Sequence, residues 1–302
     1  MTDLKDLEIT YDKPNWCPGC GDFGIWISLK NAIVQLSLNP WEVVLVSGIG
    51  CSSKMPYWVK TYGFNSLHGR PMPVAEGIKL ANHNLNVIVV SGDGDQYGEG
   101  LNHLIHAARR NINITLLTHN NQIYGLTTGQ YSPTTDLGEK NKATSVLTNE
   151  EPVNPLSISL SAGATFVARS FAGDNKQLTS LICEAVKHKG FSILDIMQPC
   201  VTFNHKNTFA WFFERVYKLG EDHDVKNRLT ALQKAEEWPL RQMLKDPPVG
   251  EAKSEKEKIP TGIFYKEEKQ IFEESFPQIA QTPLVKQSLE NIDISPLLKE
   301  LE

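Results

Sequence analysis

Four stretches of the chain are apolar at nearly every position and end in small or polar residues. They are "WEVVLVSGIGCSS" from Trp41, "NVIVVSGDGD" from Asn86 to Asp95, "INITLLTHNN" ending at Asn121 and "FSILDIMQPC" ending at Cys200. Short runs rich in Val, Ile and Leu are predicted to be strands buried on both faces. Between them the period changes. Leu101, Leu104, Ile105 and Ala108 recur at i, i+3, i+4 and i+7, and Leu178, Leu181, Ile182, Ala185 and Val186 follow the same rule, so each set lies on one face of a helix. Strands alternating with helices predict an α/β fold: a doubly wound, mainly parallel sheet with helices on both sides, because parallel neighbours need a long crossover. Ligands of such sheets sit beyond the carboxyl ends of the strands. That edge holds "GIGCSS", "GDGD", "NNQIYGLTTGQ" and "QPC".

After about Asn204 the pattern becomes polar and charged with scattered aromatics, as in "FAWFFERVYKLGEDHD". The Pro- and Lys/Glu-rich piece "DPPVGEAKSEKEKIPTG", from Asp246 to Gly262, reads as a solvated linker. The expected division is an α/β domain over residues 1–203 and a C-terminal extension over 204–302 that packs on the core or on a partner. Trp211, Phe212, Phe213 and Tyr217 read as a packing stripe, with a partner surface as the functional alternative.

The 302 residues and 40% hydrophobic content suffice for a well-buried core, and the net charge of −5 shows no basic cluster for nucleic acid or anionic membrane. The acidic start "MTDLKDLEITYDKPNW" lacks the positive and apolar regions of a secretion signal. With no run of about 20 apolar residues to span a bilayer, a cytoplasmic location is the expectation. Five cysteines, Cys17, Cys20, Cys51, Cys183 and Cys200, fit a disulfide framework poorly and ligation better.

Two motifs carry candidate chemistry. In "WCPGCGDFG", Cys17 and Cys20 have a spacing shared by zinc clips, redox dithiols and iron–sulfur sites. In "GDGD", glycines let backbone approach a phosphate, yet Asp93 would repel that anion unless a cation such as Mg²⁺ lay between them. Asn121, at the end of the next strand, is placed to supply a second oxygen. Cys183, among apolar helix positions, reads as an inert buried thiol, and His103, His106, His119 and His188 as helix or loop residues.

A Gly-Asp-Gly followed about thirty residues later by Asn-Asn resembles the thiamine diphosphate motif. In order along the chain, "WCPGCGDFG", "GIGCSS", "HGRPMPVAEGIKLAN", "GDGDQYGEGLNHLIHAARRN", "NNQIYGLTTGQYSPTT", "QPCVTFN" and "GIFYKEEK" resemble the β subunit of the 2-oxoacid:ferredoxin oxidoreductases. The resemblance implies a sheet of the thiamine diphosphate-binding type. It also implies oxidative decarboxylation of a 2-oxoacid to acyl-CoA and CO₂, with coenzyme A as acyl acceptor and electrons passing through a [4Fe–4S] cluster to ferredoxin. Carried over by position, it gives Mg²⁺ the carboxylate of Asp93, the side chain of Asn121 and the carbonyl of Ile123. It gives thiamine diphosphate Gly94, Asp95, Gly125 and Leu126 on one side, with Ile49, Gly50, Cys51, Ser52 and His68 on the other. Cys17, Cys20, Cys51 and Cys200 become the cluster ligands. The same resemblance implies that Thr127 and Thr128 sit where the substrate carboxylate would approach. Some relatives have lysine in place of Thr128, and together with the long C-terminal region this favours 2-oxoglutarate or a broad range over pyruvate. The glutamate that activates the cofactor is expected from a partner α subunit. Two competing readings are a non-redox thiamine decarboxylase, which leaves four cysteines idle, and a cysteine-ligated electron-transfer or zinc scaffold without an organic cofactor.

Overall fold

The computed structural model describes residues 2–140, 146–238, 258–288, 290 and 292–301. Its strands are β1 (Val43–Ser47), β2 (Tyr62–Asn65), β3 (Asn86–Gly92), β4 (Thr115–Asn120), a short hairpin of β5 (Ile123–Tyr124) and β6 (Gln130–Tyr131), β7 (Phe166–Phe171), β8 (Ser192–Met197), β9 (Val216–Lys218) and β10 (Ile259–Lys266). An eight-stranded sheet runs in the order β2-β1-β3-β4-β8-β7-β10-β9. From β2 to β7 all neighbours are parallel. β10 lies antiparallel to β7 and parallel to β9. This is the doubly wound, mainly parallel sheet that the alternation predicts.

The strand residues divide by parity. Val43 and Leu45 of β1 and Ile88 and Val90 of β3 pack on one face, under Ile25, Leu29 and Ile33 of α1 (Asp22–Gln35) and Leu178, Ile182 and Ala185 of α6 (Asn175–Lys187). Val44, Val46, Val87 and Val89 pack on the other. There they meet α3 (Pro71–Ala81), α4 (Leu101–Arg110), α5 (Pro155–Ala162) and α8 (Arg228–Ala235) through Met72, Ala75, Leu104, Ala107, Leu156, Leu160 and Ala231. Each fully buried Val, Leu or Ile contributes about 1.5–3 kcal/mol. The two-sided burial explains why these strands read as continuous apolar runs. Asp174 caps α6 by accepting from Gln177 N at 3.0 Å, and α4 stops at Asn111, which takes the left-handed φ of 55°.

The chain beyond residue 204 supplies two strands to the sheet. Within the stretch read as a linker, Ile259, Pro260 and Thr261 are the buried start of β10, a correction, while 246–257 lies outside the described residues. Pro260, which has no N–H to give a ladder, is accommodated where β10 pairs with the short β9 through Tyr217. Arg169 of β7, with no measurable exposure, donates to Asp195 of β8 at 3.2 Å and to Trp238 O at 3.2 Å. Its guanidinium stacks 5.0 Å from Trp238 and 5.6 Å from Phe264, so a buried charge staples the C-terminal region to the core. Of the aromatic stripe, Phe212 packs 5.3 Å from Phe171 while Phe213 remains exposed.

His188 follows α6 and is bonded to Thr165 Oγ1 at 2.8 Å, and Thr165 in turn donates to Asn111 Oδ1 at 2.6 Å. Burial, aided by the positive charge of Lys266, holds His188 down to about 4. The fold therefore favours the neutral ring, and stability is expected to fall as pH drops from about 6.5 through about 4, where the unfolded chain takes up the extra proton. The difference in melting temperature between wild type and His188→Gln, followed against pH, should show this loss.

Candidate cofactor site

β1, β3, β4 and β8 are consecutive in the sheet, so the loops after Ser47, Gly92, Asn120 and Met197 meet at one edge although they are far apart in sequence. The amino-terminal segment is stitched onto that edge. Trp16 Nε1 donates to Cys51 O at 2.8 Å, Cys20 N closes a turn on Cys17 O at 2.9 Å, and Gly21 N donates to Pro199 O at 3.1 Å.

Asp93 is 1% exposed. Its Oδ2 accepts from Ser132 Oγ at 2.5 Å and Thr134 Oγ1 at 2.6 Å, so the groups that hold it are hydroxyls rather than cations. Burial pushes its carboxyl up to about 6, against those hydrogen bonds, which pull it down. A buried carboxylate with this neighbourhood fits a bound divalent cation. Asn121 Oδ1 accepts from Ile123 N at 3.0 Å, which leaves a lone pair for such a cation. The loop is pinned by Asn204 Nδ2 donating to Asn121 O at 3.0 Å.

The carboxylate of Asp95 is already committed. It accepts from Ile49 N at 3.1 Å, Gly69 N at 2.7 Å and Ser91 Oγ at 2.5 Å, and lies 3.4 Å from His68 Nδ1. Asp95 thereby ties three loops together, and its backbone is what it can offer a diphosphate. The chain then makes a π turn, Gly94–Glu99, before α4. A Cβ on Gly94 would meet the Tyr124 ring at 2.3 Å, so only glycine permits this approach, and Tyr124 OH donates to Gly94 O at 2.9 Å. A cavity of about 60 Å³ is lined by Asp93, Gly94, Asn121, Ile123, His68 and Gly125 among others, with Ile49, Gly50, Cys51, Ser52, Asp95, Leu126 and Thr127 also present. Organic-ligand pockets run to about 300–1,000 Å³, so this cavity by itself is smaller than a typical organic-ligand pocket.

Cys17, Cys20, Cys51 and Cys200 line a second cavity, of about 180 Å³, while Cys183 lies elsewhere, 3.8 Å from Ala32 O. A Cβ on Gly125 would be 3.5 Å from Cys200 Sγ and 3.7 Å from Cys51 Sγ, so that glycine touches both cavities. Burial pushes the Cys51 thiol up to about 12, with Asp22 and Cys200 adding to it, and raises Cys20 and Cys200 as well. Such thiols ionise only when cations take the charge. Among the described residues no three His, Cys, Asp or Glu side chains gather closely enough for a single metal ion. Four thiols lining one cavity offer a soft sulfur donor set of the kind that iron–sulfur clusters and zinc both take.

Thr127 and Thr128 are exposed at the rims of the first and second cavities respectively. Thr127 Oγ1 donates to Gln130 at 2.5 Å, and Thr128 takes a φ of +78°, rare for a β-branched residue. Sequence reasoning missed several residues. His119 belongs to strand β4 rather than to a helix or loop, with Nδ1 2.6 Å from Asp22 Oδ1 and Nε2 without a hydrogen-bond partner. Lys54 is the one Lys or Arg lining either cavity among the described residues. Ser132, Thr134 and Gln198 had no signal, since each acts on a group distant in sequence.

Residues 48–196 match the thiamine pyrophosphate enzyme C-terminal, TPP-binding domain family, and 200–244 match the C-terminal family of the pyruvate ferredoxin oxidoreductase β subunit. The chain is 41% identical over 298 residues to the 2-oxoacid:ferredoxin oxidoreductase subunit beta of Saccharolobus solfataricus, covering 95% of this chain and 96% of that one. The chain belongs to the 2-oxoacid:ferredoxin oxidoreductase β-subunit family. It is 48% identical over 222 residues to the 2-oxoglutarate oxidoreductase subunit KorB of Mycobacterium tuberculosis, covering 73% of this chain and 58% of that one. The fold matches a solved structure of 2-oxoglutarate:ferredoxin oxidoreductase from Magnetococcus marinus with 2-oxoglutarate, coenzyme A and succinyl-CoA bound. That match has a TM-score of 0.86 and 34% identity, covering 100% of this chain and 96% of that one. As a β subunit of this oxidoreductase family it binds thiamine diphosphate through the matched domain. No helix among the described residues is long and apolar enough to cross a membrane.

Thr134→Val keeps shape but removes one hydroxyl from Asp93. Loss of a group that supports a metal ligand costs about 10–100-fold in affinity, so the dissociation constant for thiamine diphosphate with Mg²⁺ is expected to rise about tenfold or more, read by tryptophan fluorescence.

Proposed function

We propose that this chain works with an α subunit as a 2-oxoacid:ferredoxin oxidoreductase, converting a 2-oxoacid and coenzyme A to acyl-CoA and CO₂ while ferredoxin accepts the electrons. The observation that carries the reading is the adjacency of the two cavities, which share Cys51, Asn121, Gly125, Leu126 and Gln198 as lining. When bound, thiamine diphosphate supplies a nucleophilic carbon and an electron sink for decarboxylation, and a [4Fe–4S] cluster supplies one-electron transfer. Asp93, Asn121 and the Ile123 carbonyl would hold Mg²⁺ on the diphosphate, and Cys17, Cys20, Cys51 and Cys200 would hold the cluster. Asp95 keeps the loops carrying Ile49 and Gly69 closed against β3. Gly125 lets backbone lie between the two sites without a side chain to separate them. Lys54 lines the cysteine cavity and brings a positive charge there, suited to offset the negative charge of four thiolates. The 2-oxoglutarate named for the Mycobacterium and Magnetococcus proteins supports that acid over pyruvate.

The test is an αβ complex purified without oxygen and offered 2-oxoglutarate or pyruvate, with and without coenzyme A and ferredoxin. Reduction of ferredoxin that requires both coenzyme A and 2-oxoglutarate is expected. Decarboxylation that proceeds at full rate with no acceptor reduced would reinstate the non-redox reading.

A further inference from the structure

Gln198 stands one residue beyond β8 and is 1% exposed. Its backbone N–H donates to Asn120 O at 2.8 Å, which fixes it at the sheet edge. Its carboxamide lies between the two cavities and lines both. On one side Oε1 accepts from Asn121 Nδ2 at 2.8 Å. On the other, Nε2 donates to Cys20 Sγ at 3.1 Å and to Pro199 O at 3.1 Å.

This chain of groups has a direction. With Asn121 Oδ1 turned toward a cation, Nδ2 is left to face Gln198, whose oxygen then receives it and whose N–H points at sulfur. Reversing either amide would aim an N–H at Mg²⁺ or a carbonyl oxygen at a thiolate. The arrangement that suits the diphosphate site is therefore the one that donates to the sulfur site.

We propose that Gln198 is a positioning residue that couples the two cofactor sites, so that binding of thiamine diphosphate with Mg²⁺ raises the reduction potential of the cluster. The proposal rests on the assignment of Asn121 to Mg²⁺ and of Cys17, Cys20, Cys51 and Cys200 to a [4Fe–4S] cluster. A donor to a ligand sulfur stabilises the reduced, more negative cluster. A cation on Asn121 polarises its N–H, and the polarisation passes through Gln198 to Cys20. Linkage then requires that reducing the cluster tightens cofactor binding by the same factor. The cluster becomes the better electron acceptor only when the cofactor that feeds it is seated.

The experiment uses the anaerobic αβ complex as wild type, Gln198→Met and Gln198→Glu, with iron and sulfide measured on each. Cluster potential is titrated by electron paramagnetic resonance with and without thiamine diphosphate and Mg²⁺, and cofactor affinity is measured on oxidised and dithionite-reduced enzyme. In the wild type the cofactor is expected to move the potential upward, and the reduced enzyme to bind it about fivefold tighter or more. Gln198→Met, loaded with its cluster, is expected to have a lower potential and to lose both differences. If that variant fails to load, Gln198→Glu, similar in size and without an N–H for sulfur, serves the same comparison. A loaded variant that keeps the wild-type cofactor-induced shift overturns the proposal. So does a wild type with a full cluster and no shift, which leaves the cluster assignment standing, whereas a wild type without iron and sulfide removes both.

Discussion

Asp93→Asn is expected to weaken thiamine diphosphate binding in the presence of Mg²⁺ by at least about a hundredfold while making the cofactor-free protein more stable. Loss of partners that merely support a metal ligand costs about 10–100-fold in affinity, so loss of the carboxylate itself sets that range as a floor. The stability gain follows from the environment. Burial raises Asp93 from 3.8 to about 6, and the hydroxyls of Ser132 and Thr134 offset only part of the penalty. Because the folded state binds the proton more tightly than the unfolded state, the contribution of Asp93 to stability without cofactor is fully present below about pH 4. It is lost as pH rises through about 6, a difference of about 3 kcal/mol. The asparagine variant has no such slope. Isothermal titration for affinity, and denaturant melts at several pH values without cofactor, check both halves. Equal affinity in the variant, or a stability difference between wild type and Asp93→Asn that does not change between pH 4 and 7, would count against a cation-holding role.

Cys200→Ser is expected to remove this chain's share of the iron–sulfur absorbance and all 2-oxoacid-dependent ferredoxin reduction, with thiamine diphosphate still bound. Cys200 is 8% exposed, lines the same cavity as Cys17, Cys20 and Cys51, and its thiol is raised by burial. A serine hydroxyl is a harder group that ionises with far greater difficulty than a thiol and does not replace soft sulfur for iron. Asp93 and Asn121 belong to other loops, so the diphosphate site survives. Cys183→Ser supplies the control, since that thiol packs between α6 and α1 near Ala32 and Gln35. An intact spectrum in Cys200→Ser, or its loss in Cys183→Ser, would refute the ligand set.

The sequence disclosed those elements whose residues speak for themselves. β1, β3, β4 and β8 are buried on both faces and so are apolar at successive positions, and α4 and α6 have one apolar face each. β7 stayed hidden because Arg169 interrupts "FVARSF". Its charge is neutralised by Asp195 on the adjacent strand, a pairing invisible until the strands are placed side by side. β10 carries Pro260 and Gly262, and β2 is exposed throughout, so neither shows the usual pattern. Helix α1 buries Asp22, Ser28 and Lys30 among its apolar residues, which blurs its face. The same distinction holds at the site. Asp93, Asn121 and the cysteines announce their chemistry by residue type at strand ends. Ser132, Thr134 and Gln198 act through contacts to residues 39, 41 and 77 positions away, and His119 reaches Asp22 across 97. Such residues gain meaning only from the fold.

Magnesium-bound thiamine diphosphate and an iron–sulfur cluster are proposed to occupy adjoining cavities of this chain. Iron, acid-labile sulfide, zinc, magnesium and thiamine measured together on one anaerobically purified αβ complex test it most directly, provided the partner's own share is subtracted by the same assay on Cys200→Ser. The account predicts that the wild type exceeds that variant by about four iron and four sulfide per β chain, with equal thiamine and magnesium in both and no zinc. Equal iron in the two proteins, or zinc in place of iron, would contradict it.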